Sequence, residues 1–318
     1  MKKNYLGKTG IKVSELCFGA LPLGPLQANI ALEEGAKLVR TALERGINFI
    51  DTAETYKTYP YIKKALEGYN NKKEVIIATK SNAQTYLEME KSIKEALQAL
   101  DRDYLDIFHL HAARVTSSVF EEREGAWQCL KDYRAKGLIR AIGISTHVVE
   151  VVRRAAEIKD IDIVFPLINK LGMGIVGGTV EDMVKAITEV AKAGKGLYAM
   201  KALAGGHLID QLKESLNFVR NIAGINSVAV GMVKPEELAL NLKIFNNEEI
   251  SPELWAKKIK SSKRLVILSF CKGCGTCVKT CPNQALSLEK GKAVVDQKLC
   301  LRCGYCNPVC PEFAIRLV

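Results

Sequence analysis

Gly46-Ile47-Asn48-Phe49-Ile50-Asp51-Thr52-Ala53-Glu54-Thr55-Tyr56 begins with a glycine, runs through four residues that are mostly apolar, and then turns polar. The glycine closes the amphipathic stretch Glu33–Arg45 as a helix C-cap, and the apolar run reads as a buried strand that ends on a carboxylate. The same phrase recurs along the chain. Strands are expected near Lys12–Gly19, Ile47–Asp51, Val75–Thr79, Tyr104–Leu110, Ala141–Ser145, Ile161–Leu167, Leu197–Lys201 and Val228–Gly231. Helical periodicity fills the gaps, as in Tyr86–Leu100 and Val180–Ala193.

Eight βα units in roughly 230 residues predict a (β/α)8 TIM barrel rather than an open doubly wound sheet. Asp51, Lys80, His111, Ser145, Asn169 and Lys201 each follow an apolar run. In a barrel such strand ends converge on one face, where active sites form. The segment Asn4–Val13, with Gly7 and Gly10 as turn residues, is expected to form a hairpin across the opposite end.

Beyond the barrel the composition changes abruptly. Eight of the 10 cysteines lie between Cys271 and Cys310. They form two complete C-x2-C-x2-C-x3-C-P runs, Cys271–Pro282 and Cys300–Pro311, the pattern of bacterial ferredoxins. The short spacings wrap three thiolates around one cubane while the fourth reaches the other cluster. Cys271, Cys274, Cys277 and Cys310 are therefore expected to hold one [4Fe–4S] cluster, and Cys300, Cys303, Cys306 and Cys281 the second. Zinc needs no such triplet rhythm. Ala285–Leu288 and Ala293–Val295 flank a turn, so a small α+β ferredoxin-like domain is expected over residues 265–318. The barrel then covers 1–247 and a linker 248–264, whose basic run Lys257–Arg264 reads as a solvated helix.

The chain has 318 residues, of which 48% are hydrophobic and 25% charged, with a formal net charge of +11. That is the profile of a soluble globular protein. The positive charge is scattered, which argues against nucleic-acid binding. No apolar run reaches the ~18 residues of a membrane span, and none near the start has signal-peptide form. A cytoplasmic location follows as an expectation, and in a reducing compartment clustered cysteines serve as metal ligands.

Asp51, Tyr56, Lys80 and His111 form a proton-transfer set at one barrel mouth: a hydroxyl, an ammonium to promote its phenolate, a carboxylate to hold the ammonium, and an imidazole. His109, two residues earlier, shares that strand face and is the alternative histidine. Taken with Leu6-Gly-Lys-Thr-Gly10, Ala78-Thr-Lys80, Tyr104-Leu-Asp-Ile107 and Ile142-Gly-Ile-Ser145, residues 4–245 resemble the aldo/keto reductases. The stretch Met200-Lys201-Ala-Leu-Ala-Gly-Gly206 resembles the iron–sulfur-containing branch of that family.

The resemblance implies carbonyl/alcohol interconversion driven by NADP or NAD. Tyr56 would be the general acid, supported by Asp51, Lys80 and His111. It implies cofactor contacts from Ser145, Asn169, Lys201, Gly231, Met232 and Asn241. It also exposes departures: Thr146 and Phe165 stand where carboxamide partners are usual, Met200 and Lys201 where a tyrosine and serine are usual, and Gly231 and Glu237 where basic residues grip a 2′-phosphate. The implied partners are a small carbonyl or alcohol and an electron-transfer protein or flavoprotein. Two other readings stay open: a cluster-driven reductase that dispenses with nicotinamide, and a redox-sensing or adaptor subunit without turnover.

Overall fold

The computed structural model describes residues 1–256, 264–312 and 314–317. Eight parallel strands close a barrel in chain order: Leu16–Gly19, Phe49–Asp51, Ile76–Ser81, Leu105–Ala112, Ile139–Thr146, Ile163–Pro166, Gly196–Ala199 and Ser227–Gly231. The last strand returns to the first, with Val228 opposite Leu16 and Gly231 opposite Gly19. Alternate side chains point inward, and Cys17, Phe49, Ile76, Ile107, Ala141, Ile163 and Tyr198 pack one core inside the staves. The other faces meet the helices in a larger core. Cys17 and Cys129 are both fully buried.

The expected first strand is two. Lys12–Ser14 pairs antiparallel with Lys3–Tyr5, and only then does Leu16–Gly19 enter the barrel. This hairpin closes the barrel floor, where Leu6, Ile11 and Val13 join the inner core. Gly7 needs to be glycine there: at φ +53° a Cβ would lie 2.4 Å from the Gly196 nitrogen. Two helices start on reciprocal caps, Thr85 with Glu88 and Thr179 with Asp182, each contributing about 1 kcal/mol.

After the last barrel helix, Pro235–Phe245, comes a short helix at Pro252–Ala256, whose Trp255 packs against the larger core. Of the expected basic linker helix, Lys257–Lys263 falls outside the described residues. The C-terminal module has a hairpin, Leu286–Glu289 with Lys292–Val295, and a helix at Thr276–Thr280. Leu265–Ile267 pairs with Ile315–Leu317, drawing the module's two ends together.

The module lies over the mouth of the barrel. His207 donates to the Cys300 carbonyl at 2.8 Å, and Arg114 to the Cys281 carbonyl at 3.3 Å. Two glycines permit the closest approach. A Cβ on Gly205 would lie 2.1 Å from the Leu301 oxygen, and one on Gly304 would lie 2.0 Å from the Leu26 oxygen.

Candidate active site and cluster sites

The second, third and fourth barrel strands deliver Asp51, Lys80 and His111 to the mouth, and the one-turn helix Glu54–Tyr56 brings the phenol. Lys80 Nζ donates to both Asp51 carboxylate oxygens and to the Thr52 carbonyl, each at 2.8 Å. All three ammonium hydrogens are thus committed. The same nitrogen stands 4.8 Å from the centroid of the Tyr56 ring, over its face rather than at its hydroxyl.

Burial opposes charge on both members of the Asp51–Lys80 pair, and their mutual attraction counters it. Tyr56 behaves differently from the expectation that Lys80 promotes its phenolate. Burial, then the neighbouring Tyr305 and Asp51, pushes its hydroxyl well above the ordinary tyrosine range. The physical reason is the geometry just described: Lys80 is spent on Asp51, and desolvation governs the phenol. The Tyr56 hydroxyl therefore keeps its proton at neutral pH. His111 is kept neutral, chiefly by burial and then by Lys80.

His109 lies deeper. Its Nε2 meets the hydroxyl of Tyr198 at 2.8 Å, and Tyr198 donates to Asp51 Oδ1 at 3.0 Å. Gly143 makes room for this ring, since a Cβ there would lie 2.8 Å from His109 Nδ1. Of the two histidines, His111 is the one whose ring stands edge-on to Tyr56, at 5.9 Å.

A second tyrosine reaches this site from the module. The Tyr305 hydroxyl lies 3.3 Å from His111 Nε2 and 3.5 Å from the Tyr56 hydroxyl. Tyr305 sits in the spacer Cys303-Gly-Tyr-Cys306, so the cysteine loop itself is part of the mouth. Lys201, at φ +62° just beyond the seventh strand, is pulled down in pKa by burial, with Cys303 and Cys300 nearby opposing this.

Beside these groups opens a cavity of ≈ 420 Å³. Asp51, Tyr56, Phe165, Met200, Lys201 and Tyr305 line one end, and Gly231, Val233, Lys234 and Glu237 the other. Arg302 also lines it. The far end lies at the start of helix Pro235–Phe245, where Glu237 accepts from the Val233 and Lys234 amides at 2.7 and 3.2 Å.

In the module, Cys271, Cys274, Cys277 and Cys310 surround one cavity, and Cys281, Cys300, Cys303 and Cys306 a second. None of the ten cysteines is joined in a disulfide. Backbone amides point at the sulfurs: Gly273 and Ala293 at Cys271, Ala285 at Cys281, and Ala314 at Cys310, at 3.3 to 3.5 Å. Four sulfurs around a void, with amide donors for thiolate charge, fit a cubane cluster. The first set has its Cys274 exposed, whereas the second faces the barrel through Cys303 and Lys201.

Residues 15–223 match the model of the aldo/keto reductase family, and residues 270–314 that of the 4Fe-4S dicluster domain. The chain belongs to the aldo/keto reductase family. It carries in addition a C-terminal 4Fe-4S domain. L-galactose dehydrogenase of Arabidopsis thaliana is 30% identical over 65% of this chain and 66% of its own length. The methylglyoxal reductase DkgA of Escherichia coli is 26% identical over 58% and 67%. Among solved structures, the aldo-keto reductase AKR11C1 of Bacillus halodurans, in its holo form, superposes with a TM-score of 0.64 at 20% identity. It covers 82% of this chain and 97% of that one, which shows the fold.

Within this aldo/keto reductase the expected site residues divide. Asp51, Tyr56, Lys80 and His111 come together, and Lys201 and Gly231 line the cavity. Ser145, Asn169, Met232 and Asn241 are buried and lie outside its lining. The Asn169 amide is occupied: its Oδ1 accepts from the Leu171 and Met173 amides, and its Nδ2 donates to the Met173 carbonyl. Asn241 Oδ1 is a buried acceptor with no partner. Tyr198 and Tyr305 were not foreseen. Tyr198 sits in an unremarkable apolar strand, and Tyr305 occupies a spacer position whose residue type the cysteine pattern leaves free. Among the described residues no helix is long and apolar enough to cross a membrane.

Proposed function

We propose that this aldo/keto reductase interconverts a small carbonyl and its alcohol, with Tyr56 as general acid in the reduction. In this reading the cavity takes NADH or NADPH, which supplies hydride to the carbonyl carbon when bound. Tyr56 gives its proton to the oxygen, and Lys80 and Asp51 fix the ring that does so. Two [4Fe–4S] clusters, held by Cys271, Cys274, Cys277 and Cys310 and by Cys281, Cys300, Cys303 and Cys306, connect the site to a one-electron carrier.

The observation that carries the reading is the stack of Asp51, Lys80 and Tyr56 at the end of a cavity, with Lys80 chelating both carboxylate oxygens. Two relatives are named for an L-galactose dehydrogenase and a methylglyoxal reductase, in line with a small carbonyl or alcohol as substrate. Hydride carries two electrons and each cluster passes one, so a flavoprotein partner is the natural mediator.

A second reading, in which cluster electrons reduce the substrate without nicotinamide, is favoured by one observation. Ser145 and Asn169, the expected nicotinamide contacts, stand outside the cavity wall. One experiment addresses both. Anaerobic, cluster-loaded protein is titrated with NADH and NADPH while EPR follows the clusters and 4-nitrobenzaldehyde reports turnover. Nicotinamide-dependent turnover that Tyr56→Phe abolishes supports the first reading. No nicotinamide binding, with turnover only after the clusters are reduced by dithionite, replaces it with the second. Turnover indifferent to Tyr56→Phe removes Tyr56 from the mechanism.

A further inference from the structure

The wall of the cavity decides which groups a ligand meets. Tyr56 and Tyr305 line it, and His111 does not. His111 is 5% exposed, and its Nε2 points at the Tyr305 hydroxyl from behind, at 3.3 Å. An oxygen bonded to Tyr56 and His111 together would have to occupy the position that the Tyr305 hydroxyl already holds, between the two. At 3.3 and 3.5 Å on either side there is no room for a second oxygen in line.

Nor is Tyr305 a loosely placed side chain. Its ring stands edge-on to His111, with centroids 6.0 Å apart. The residue before it, Gly304, has φ +82° and packs directly on the Leu26 backbone. Four residues earlier, Leu301 is seated on Gly205, and the Cys300 carbonyl accepts from His207. The loop is thus held from both sides of the mouth, and the hydroxyl with it.

We infer that Tyr305 is a catalytic residue of the barrel site, standing between His111 and the ligand. A carbonyl oxygen in the cavity is met by the hydroxyls of Tyr56 and Tyr305, and His111 acts on it only through Tyr305. The inference rests on the carbonyl-reduction reading above. In that reaction the carbonyl carbon takes hydride from reduced nicotinamide and the C=O π pair moves to oxygen. Oxygen then takes the Tyr56 proton. Tyr305 donates a hydrogen bond to that oxygen, and afterwards to the Tyr56 phenolate until solvent returns the proton. His111 is a positioning residue that aims the Tyr305 hydroxyl. The catalytic site is therefore assembled from two domains, and the loop that carries the second cysteine set also carries a group that touches the substrate.

The test is a double-mutant cycle on anaerobic, cluster-loaded protein, with 4-nitrobenzaldehyde and reduced nicotinamide as probes and iron content as a control. Tyr305→Phe is expected to lower kcat about 100-fold, in the range for loss of one hydrogen-bond donor to a developing oxyanion. His111→Phe should lower kcat with KM kept, and His111→Gln, which preserves a hydrogen-bonding group for Tyr305, should restore most of it. The double variant Tyr305→Phe/His111→Phe should be no slower than Tyr305→Phe alone. Two results overturn the inference: turnover by Tyr305→Phe equal to or above that of the parent, which makes the hydroxyl a plug, or losses that multiply in the double variant, which makes His111 an independent contact. If Tyr305→Phe sheds its iron, the two His111 variants decide, since a raised KM in His111→Phe places His111 on the substrate directly. A parent enzyme that turns over through Tyr56 but ignores Tyr305 leaves the carbonyl-reduction reading standing and removes this inference alone. A parent with no turnover removes both.

Discussion

Tyr198 donates its hydroxyl hydrogen to Asp51 Oδ1 across 3.0 Å, behind the pair that Asp51 makes with Lys80. Its single hydrogen being spent there, the Tyr198 oxygen accepts from His109 Nε2 at 2.8 Å, which fixes that ring as the Nε2–H tautomer. The buried carboxylate is therefore held by an ammonium on one side and a phenol on the other, with Phe165 stacked 3.8 Å from the phenol. Tyr198→Phe keeps the ring and its packing but removes both hydrogen bonds. It is expected to destabilise the fold by about 1–3 kcal/mol, because a buried N–H and part of a buried carboxylate lose their partners. Urea unfolding of the parent and variant, compared at equal iron content, measures the difference; equal midpoints would mean that the chain behind Asp51 contributes nothing.

Three buried histidines make stability depend on acid. His109 and His111 are held well below the ordinary imidazole range by burial first and Lys80 second. His147 is lowered to about 3, by burial and then by Lys201. In each case the folded state keeps the ring neutral while the unfolded chain protonates it near pH 6.5. The unfolded state thus binds more protons below pH 6.5, down to about pH 3 for His147, so the histidine contribution to stability falls as pH drops below 6.5 and is flat above it. Each ring contributes a slope of about 1.4 kcal/mol per pH unit. Replacing His147 with Gln should flatten the fall by one such unit, read from urea midpoints between pH 4.5 and 8. An unchanged slope would show that His147 does not remain neutral in the folded protein.

Much of this architecture was legible because it repeats. Eight apolar runs separated by amphipathic helices leave few alternatives to a barrel, and Tyr86–Leu100 appears in the structure with the bounds its periodicity indicates. The cysteine triplets were equally plain, since their spacing is the geometry of a cubane corner. The relation between the domains was not legible. It depends on Gly205 against Leu301 and Gly304 against Leu26, contacts between residues about 100 and 280 positions apart that no periodicity encodes. The Tyr56 hydroxyl was misjudged for a related reason. The sequence shows that a lysine is close, but not that its three hydrogens are directed elsewhere.

On the proposed reading of the cavity as a dinucleotide site, Glu237 bears on which dinucleotide it takes. Its carboxylate accepts from the Val233 and Lys234 amides at the start of helix Pro235–Phe245, where an anion would otherwise be received. A 2′-phosphate placed there meets a negative charge and finds those donors taken, whereas a ribose hydroxyl suffers neither loss. NADH is therefore expected to bind about 10-fold more tightly than NADPH, a difference of about 1.4 kcal/mol. Glu237→Gln should narrow the gap by tightening NADPH while leaving NADH nearly unchanged. Fluorescence titration with both nucleotides is sufficient, and a parent preference for NADPH would contradict the argument.

Gly304 is the position where the docking of the module is most exposed to a single change. Its φ of +82° is disfavoured for any residue with a Cβ, and an added methyl carbon would lie 2.0 Å from the Leu26 carbonyl oxygen, which is backbone and has no rotamer to change. The conformational penalty alone is about 1–2 kcal/mol, before the clash is counted. Gly304→Ala should therefore lift the loop from Leu26 and withdraw the Tyr305 hydroxyl from His111, while Gly291→Ala, in the hairpin turn with nothing near its Cβ direction, controls for the backbone penalty without the clash. Both variants are expected to keep the barrel folded. Gly304→Ala alone should enlarge the radius of gyration measured by small-angle scattering. A Gly304→Ala variant as compact as the parent would show that the contact with Leu26 is not what holds the module on the mouth of the barrel.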